Sequence, residues 1–186
     1  MATSRLRVMG GSARGIPLAE PRGVRLRPTS GMVREAIFNI LGDVVIGARV
    51  LDLYAGTGAL AIEALSRGAE SATLVEAEPG AIQAILQSLA RTGFGERATV
   101  LRGRLPGALA MADGVFDLIL MDPPYRDETA EATLSAAGSL LAEGGWVVYE
   151  HASRYNPPER PGALVMRDRR VYGDSAIAVY AMQERE

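Results

Sequence analysis

The pattern of apolar and polar positions changes character near residue 49. Before it the pattern is broken. Arg5-Leu6-Arg7-Val8-Met9 alternates with the period of a short strand, Gly10-Gly11-Ser12-Ala13-Arg14-Gly15 reads as a turn, and Ile16-Pro17-Leu18 returns as a second strand. A helix is predicted over 31–41, capped by Thr29 or Ser30, with Val33, Ile37, Ile40 and Leu41 as its apolar stripe. From residue 49 onward strands and helices alternate. Strands are predicted at 49–54, 71–75, 98–102, 116–121 and 146–151. Helices are predicted over 59–67 with a stop at Gly68, over 80–92, briefly near 106–112, and over 128–142. Two last strands, 163–171 and 175–182, are joined by Tyr172-Gly173-Asp174 as a tight hairpin. This alternation predicts an α/β fold, a Rossmann-like, mainly parallel sheet of seven strands that ends in an antiparallel hairpin. Residues 1–41 form an N-terminal extension and 42–186 the main domain.

Composition fits one ordinary domain with a small appendage: 186 residues, 48% hydrophobic and 23% charged. It excludes a disordered or collagen-like chain. No run approaches the ~18 apolar residues of a membrane helix, and Met1-Ala2-Thr3-Ser4-Arg5 leads into no secretory signal, so a soluble cytoplasmic protein is expected. The absence of cysteine excludes disulfides, thiolate ligands and a thiolate nucleophile. A single histidine, His151, disfavours a multi-histidine metal site or a serine–histidine triad, and no metal is expected. His151 itself reads as structural.

The net charge of −2 hides an asymmetry. Residues 1–41 carry seven arginines against Glu20 and Glu35, a balance of +5, and the rest of the chain balances to −7. All 20 basic residues are arginine, which suits planar, bidentate phosphate contacts. A basic arm on an acidic body can supply a phosphate-binding surface.

Asp52-Leu53-Tyr54-Ala55-Gly56-Thr57-Gly58 falls between a predicted strand and a predicted helix. Glycines there let backbone approach a ligand, and a helix N-terminus offers free N–H groups. Glu76 ends the next strand, 18 residues after Gly58, where a carboxylate can accept hydrogen bonds from both hydroxyls of a ribose. Glu78 is the alternative partner. A nucleoside-containing cofactor is expected. The loop lacks the lysine of a phosphate-binding P-loop, and Ala61 stands where the dinucleotide fingerprint has its third glycine. Asp52 would repel a pyrophosphate and attract a cation. That favours S-adenosylmethionine, with its sulfonium and ammonium, over NAD.

Asp122-Pro123-Pro124-Tyr125 closes the fourth predicted strand. Two prolines stiffen the loop and remove two backbone donors, at the sheet edge where such folds bind ligands. Asp122 and the Pro123 carbonyl are acceptors for the two hydrogens of a planar amine. Held that way, an aromatic amine can direct its lone pair at a methyl donor, and Tyr125 can stack on the base. Positioning matters more here than a strong base.

These residues resemble the class I S-adenosylmethionine-dependent amino-methyltransferases. Gly10 to Gly15, Arg27-Pro28-Thr29-Ser30, the helix from Val33 to Leu41, and the tail Arg170-Val171-Tyr172-Gly173-Asp174-Ser175 narrow the resemblance to the bacterial RsmD-type enzymes, which methylate the N2 of one guanine in small-subunit (16S) ribosomal RNA. The resemblance spans nearly the whole chain. It implies that Asp52, Tyr54, Ala55, Gly56, Thr57, Gly58 and Glu76 bind the cofactor, with Gly103 and Arg104 beside the adenine. Asp122, Pro123, Pro124 and Tyr125 hold the flipped guanine, and Arg5, Arg7, Arg14, Arg27 and Arg34 contact RNA. It implies a monomer acting on the small subunit or an assembly intermediate. Two departures stand out: Arg104 where the family has an acid, and Gly31 where it has aspartate. The rivals are adenine-N6 methylation of DNA or RNA, an inactive nucleic-acid-binding module, and an NAD-dependent dehydrogenase.

Overall fold

Val50, Leu51 and Leu53 of the first strand, β1 (Arg49–Leu53), are all fully buried, which requires a strand covered on both faces. The structure, a computed structural model, describes residues 6–21, 30–125 and 127–183. Beside β1 run β2 (Ser71–Glu76), β3 (Ala98–Arg102), β4 (Phe116–Met121) and β5 (Leu141–Ala152), all parallel. Then β7 (Ser175–Met182) pairs antiparallel with β5, and β6 (Leu164–Tyr172) antiparallel with β7. The order is β3-β2-β1-β4-β5-β7-β6.

Alternate strand residues face two apolar layers. Val50, Leu74, Leu118 and Val148 pack with α1 (Gly31–Leu41), α2 (Ala59–Ser66) and α3 (Pro79–Thr92). Leu51, Leu53, Ile119 and Val147 pack against α4 (Ala130–Ala137) and a 3₁₀ turn at Gly107–Met111. Of the two expected candidates, Ser30 caps α1, its Oγ accepting from the Val33 N–H at 3.2 Å.

Two expectations need correcting. The helix expected over 128–142 ends at Ala137, runs through a 3₁₀ turn at Gly138–Leu140, and gives way to β5 five residues before the expected start. Gly138 abuts Leu164, whose Cγ would lie 3.2 Å from an added Cβ. Leu141 pairs with Phe116, and the register then shifts before Leu118 pairs with Trp146. The N-terminal hairpin is reduced to one antiparallel bridge, Arg7 with Pro17, flanked by hydrogen bonds from the Val8 N–H to the Ile16 carbonyl at 3.0 Å and from the Leu18 N–H to the Leu6 carbonyl at 2.8 Å.

The segment's remaining donors go to the helices instead. The Met9 and Gly10 N–H groups donate to the Glu63 carboxylate at 2.8 Å each, Ala13 N–H to Ser66 Oγ at 2.9 Å, and Ala19 N–H to Ser88 Oγ at 2.8 Å. Gly11 has φ +74°, and a Cβ there would sit 1.8 Å from the Ser66 carbonyl oxygen, so only glycine permits this approach. Glu63 is 1% exposed and also accepts from Arg67 Nε at 2.8 Å.

Asp52 plays a comparable part inside the sheet. It is 1% exposed, and its Oδ2 accepts from the Ala61 N–H in the first turn of α2 at 3.1 Å. Burial, with Asp122 and Glu76 nearby, pushes its pKa up to about 8.

Glu63→Ala should lower stability by about 3 kcal/mol in denaturant unfolding, since it orphans two backbone donors and removes the carboxylate partner of the half-buried Arg67 guanidinium; a loss below ~1 kcal/mol would refute the clamp. The folded chain holds a proton on Asp52 that the unfolded chain releases above its ordinary pKa of 3.8. The stability from that group is therefore complete at low pH and lost as pH rises through about 8. Thermal unfolding between pH 5.5 and 8.5 should show a steeper fall in Tm for the wild type than for Asp52→Asn, each kcal/mol appearing as about 2–4 °C.

Candidate active site

The strand order turns back between the parallel neighbours β1 and β4. Connections from β1 leave toward β2 and those from β4 toward β5, so the carboxyl ends of these neighbours open a crevice. On the β1 side the chain turns sharply. Tyr54 takes φ +64°, unusual for a side chain of its size. Gly56 and Gly58 follow with φ +56° and +74°. A Cβ on Gly58 would press to 3.1 Å from Ile85 and 3.3 Å from Leu74.

Glu76, at the end of β2, holds this loop. Its Oε2 accepts from the Gly56 N–H at 2.7 Å, and its Oε1 from the Ala77 and Glu78 N–H groups at 2.8 Å each. The carboxylate is thus fixed beside the glycines with lone pairs remaining for further donors. Glu78 instead faces Arg104, at 3.5 Å across an exposed ion pair that contributes little. Ala55 and Thr57 are buried, and the Ala55 N–H donates to the Val75 carbonyl at 3.0 Å. The Gly103 N–H donates to the Glu76 carbonyl at 3.0 Å, keeping the end of β3 against β2. Tyr54 turns toward α4, its hydroxyl 3.0 Å from Thr133 Oγ1, and burial pushes its pKa up to about 12.

Asp122-Pro123-Pro124-Tyr125 leaves β4 directly across the crevice. Asp122 is close enough to raise the pKa of both Asp52 on the glycine-loop side and Tyr149 on the other. Pro123 is buried, and Tyr125 is 42% exposed. Beyond this loop lies a cleft of about 450 Å³ between α4 and the end of β5, with Tyr125, Asp127, Glu131, Tyr149, Glu150 and His151 in its walls. That volume is typical of small-ligand sites. Among the described residues no arginine lines the cleft, so its charged groups are carboxylates.

His151 is 2% exposed, between the rings of Tyr149 and Tyr155 at 5.3 and 5.7 Å. Its Nδ1 lies 2.9 Å from the Ala152 carbonyl, an acceptor, so Nδ1 carries the proton. Burial lowers its pKa, which keeps the ring neutral.

Not all expected residues gather here. Arg34 is corrected outright: at 2% exposure it is no surface ligand. Its Nη2 donates to the Arg7 carbonyl at 2.8 Å, and burial lowers its pKa against the opposing pull of Glu63. Arg7 and Arg14 are at the surface, while Arg5 and Arg27 lie outside the described residues. Glu63, Glu150 and Ser175 were missed. Their only sequence signal is a polar side chain within an apolar run. Among the described residues no group of three or more acids or histidines could hold a metal ion, and no helix is long and apolar enough to cross a membrane.

Known proteins share this architecture. The family described as Conserved hypothetical protein 95 matches residues 6–181. Ribosomal RNA small subunit methyltransferase D of Escherichia coli (strain K12) is 37% identical over 148 residues, 80% of this chain and 72% of that protein. YlbH of Bacillus subtilis, provisionally named an rRNA methyltransferase, is 38% identical over 180 residues, 94% of this chain and 98% of its own. A solved Escherichia coli structure, provisionally titled a methyltransferase, superposes with a TM-score of 0.84 at 33% identity, over 96% of this chain and 98% of that one. The glycine loop and fixed Glu76 carboxylate suit S-adenosylmethionine, the cofactor of this fold. The chain belongs to the Conserved hypothetical protein 95 family, the family of ribosomal RNA small subunit methyltransferase D.

Proposed function

We propose that this chain transfers a methyl group from S-adenosylmethionine to the exocyclic N2 of a guanine in small-subunit ribosomal RNA, with the base flipped out of its strand. Ribosomal RNA as substrate follows from kinship with the Escherichia coli enzyme. The observation that carries the reading is the juxtaposition of two loops on adjacent parallel strands. The glycine loop with Glu76 stands on one side and the Asp122 to Tyr125 loop on the other.

When bound, S-adenosylmethionine supplies an electrophilic methyl group. Gly56, Gly58 and Glu76 would hold it, with Asp52, Tyr54, Ala55, Thr57, Gly103 and Arg104 around it. The chain's own chemistry lies in holding the amine. Asp122 and the Pro123 carbonyl each accept one amine hydrogen, which turns the nitrogen lone pair out of conjugation. The Asp122 carboxylate is then the acceptor for the proton the nitrogen sheds. Tyr125 stacks on the ring, worth ~1–3 kcal/mol.

The cleft's chemistry favours guanine over adenine. Asp127 and Glu131 offer acceptors. The Watson–Crick edge of guanine presents donors at both N1 and N2, whereas that of adenine presents one donor and one acceptor. These carboxylates also exclude phosphate, so the RNA backbone stays outside, on Arg5, Arg7, Arg14 and Arg27 of the extension. Extruding a base costs a few kcal/mol in a duplex and less in a loop, so an exposed loop nucleotide of the small subunit or an assembly intermediate is the natural target of this monomer.

Incubating the protein with radiolabelled S-adenosylmethionine and small ribosomal subunits lacking the modification should place label on one guanine. Label on adenine, or none, overturns the reading. Asp122→Ala should lower transfer roughly 10²–10⁴-fold with cofactor affinity little changed in calorimetry. Glu76→Ala should do the reverse first, weakening cofactor binding at least about tenfold by removing charge-assisted hydrogen bonds. Retained turnover in Asp122→Ala would remove that residue from the chemistry.

A further inference from the structure

The terminal hairpin belongs to the site rather than merely closing the sheet. Its turn is Gly173-Asp174, with Gly173 at φ +61°, and the Asp174 carbonyl accepts from the Ser153 N–H at 2.8 Å, which pins the tip to the end of β5. Ser175, the first residue of β7, pairs with Ala152 and is 5% exposed. Its hydroxyl lies 2.9 Å from the Tyr125 hydroxyl and donates to Glu150 Oε1 at 3.0 Å. Glu150, two residues before Ala152 on β5, is 4% exposed.

The direction of this chain of hydrogen bonds follows from the groups in it. A carboxylate only accepts, so the Ser175 proton goes to Glu150. The Ser175 oxygen is then left to accept, and the Tyr125 hydroxyl donates to it. The Tyr125 ring is 42% exposed and follows two prolines. Tethered through its hydroxyl to a buried, charge-anchored serine, it keeps its face to the cleft. Neighbouring hydrogen bonds polarise one another in such a chain.

We propose that Ser175, oriented by the Glu150 carboxylate, is a positioning residue that sets the angle of the Tyr125 ring against the target base. This rests on reading Tyr125 as the stacking ring. Neither Ser175 nor Glu150 touches the reacting atoms; both act through the tyrosine hydroxyl.

A double-mutant cycle on the full chain tests it, with methyl transfer to small ribosomal subunits lacking the modification as the assay. Unaltered protein is measured first; if it transfers nothing to the subunits, the functional reading fails, and that failure is visible before any variant is compared. Tyr125→Phe and Ser175→Ala should each lower kcat/KM for the subunits about five- to tenfold, the worth of one hydrogen bond. The double variant should fall no further than the weaker single one, because both remove the same contact. Ser175→Thr, which keeps a hydroxyl, should recover most of the loss, and the Kd for S-adenosylmethionine should stay the same throughout. Multiplying losses in the double variant, an inactive hydroxyl rescue, or a loss of cofactor binding in Ser175→Ala would each show a merely structural serine and overturn the proposal.

Discussion

Strands β1 and β4 lie side by side, yet the chain leaves them in opposite directions, and every functional feature depends on that reversal. Between β1 and β2 the helix lies on one face, and between β4 and β5 on the other. No connection covers the carboxyl ends of β1 and β4 where the two paths part, so a crevice opens there from topology alone. Paired residues Leu53 and Met121 end the two strands in register. The glycine loop and the Asp122 loop therefore start level with each other, separated by one strand spacing, without any long side chain having to reach across.

That crevice concentrates acid. Asp52, Glu76 and Asp122 come from the ends of three different strands; burial above all, with the like charges of Asp122 and Glu76 adding to it, holds Asp52 well above its ordinary range. The fold tolerates this because the roles divide. Asp52 faces inward and terminates α2 through the Ala61 N–H, Glu76 is spread over three backbone donors, and Asp122 stands on the side toward the cleft. At neutral pH Asp52 is mainly the neutral acid. The expectation that Asp52 draws in a cation by its own charge is corrected by that bound proton.

The strands were the most legible part of the chain. The limits of β1 and β4 follow from mainly apolar runs, broken only by Asp52 and Asp117, because strands covered on both faces carry few polar positions; β3, at the sheet edge, shows in its β-branched Thr99 and Val100 ahead of Gly103. The tetrapeptide and the glycine loop were legible for a related reason: both need backbone conformations that few residues allow. What failed was anything decided across the fold. The start of β5 depends on its pairing with Phe116, which no local pattern contains. Arg34 was expected at the RNA surface from the family resemblance, although its spacing to Ile37, Phe38 and Leu41 places it on the apolar stripe, and the N-terminal segment covers it. Ser175 and Glu150 meet only because β7 runs back along β5.

The burial of Arg34 also changes what the N-terminal extension is. Seven arginines before residue 42 suggested an arm whose charge serves RNA throughout. One of them instead lies inside, beside Glu63, and the backbone around it is clamped to α2 and α3 through Glu63, Ser66 and Ser88. The first turn of α2 is in turn fixed to Asp52, next to the glycine loop. Hydrogen bonds at both ends of α2 therefore join the extension, through that helix, to the glycine-loop side of the crevice. Exposed Arg7 and Arg14 sit on a rigid frame rather than a loose tail. A phosphate held on that frame keeps a set distance from the Asp122 loop, and a nucleotide whose backbone rests there must reach the acidic cleft with its base alone. Contacts to phosphate carry no sequence information, but a fixed spacing between backbone contact and base pocket selects shape. In the proposed reaction, selection of one nucleotide would rest on the geometry of its loop, set by how the extension is tied down.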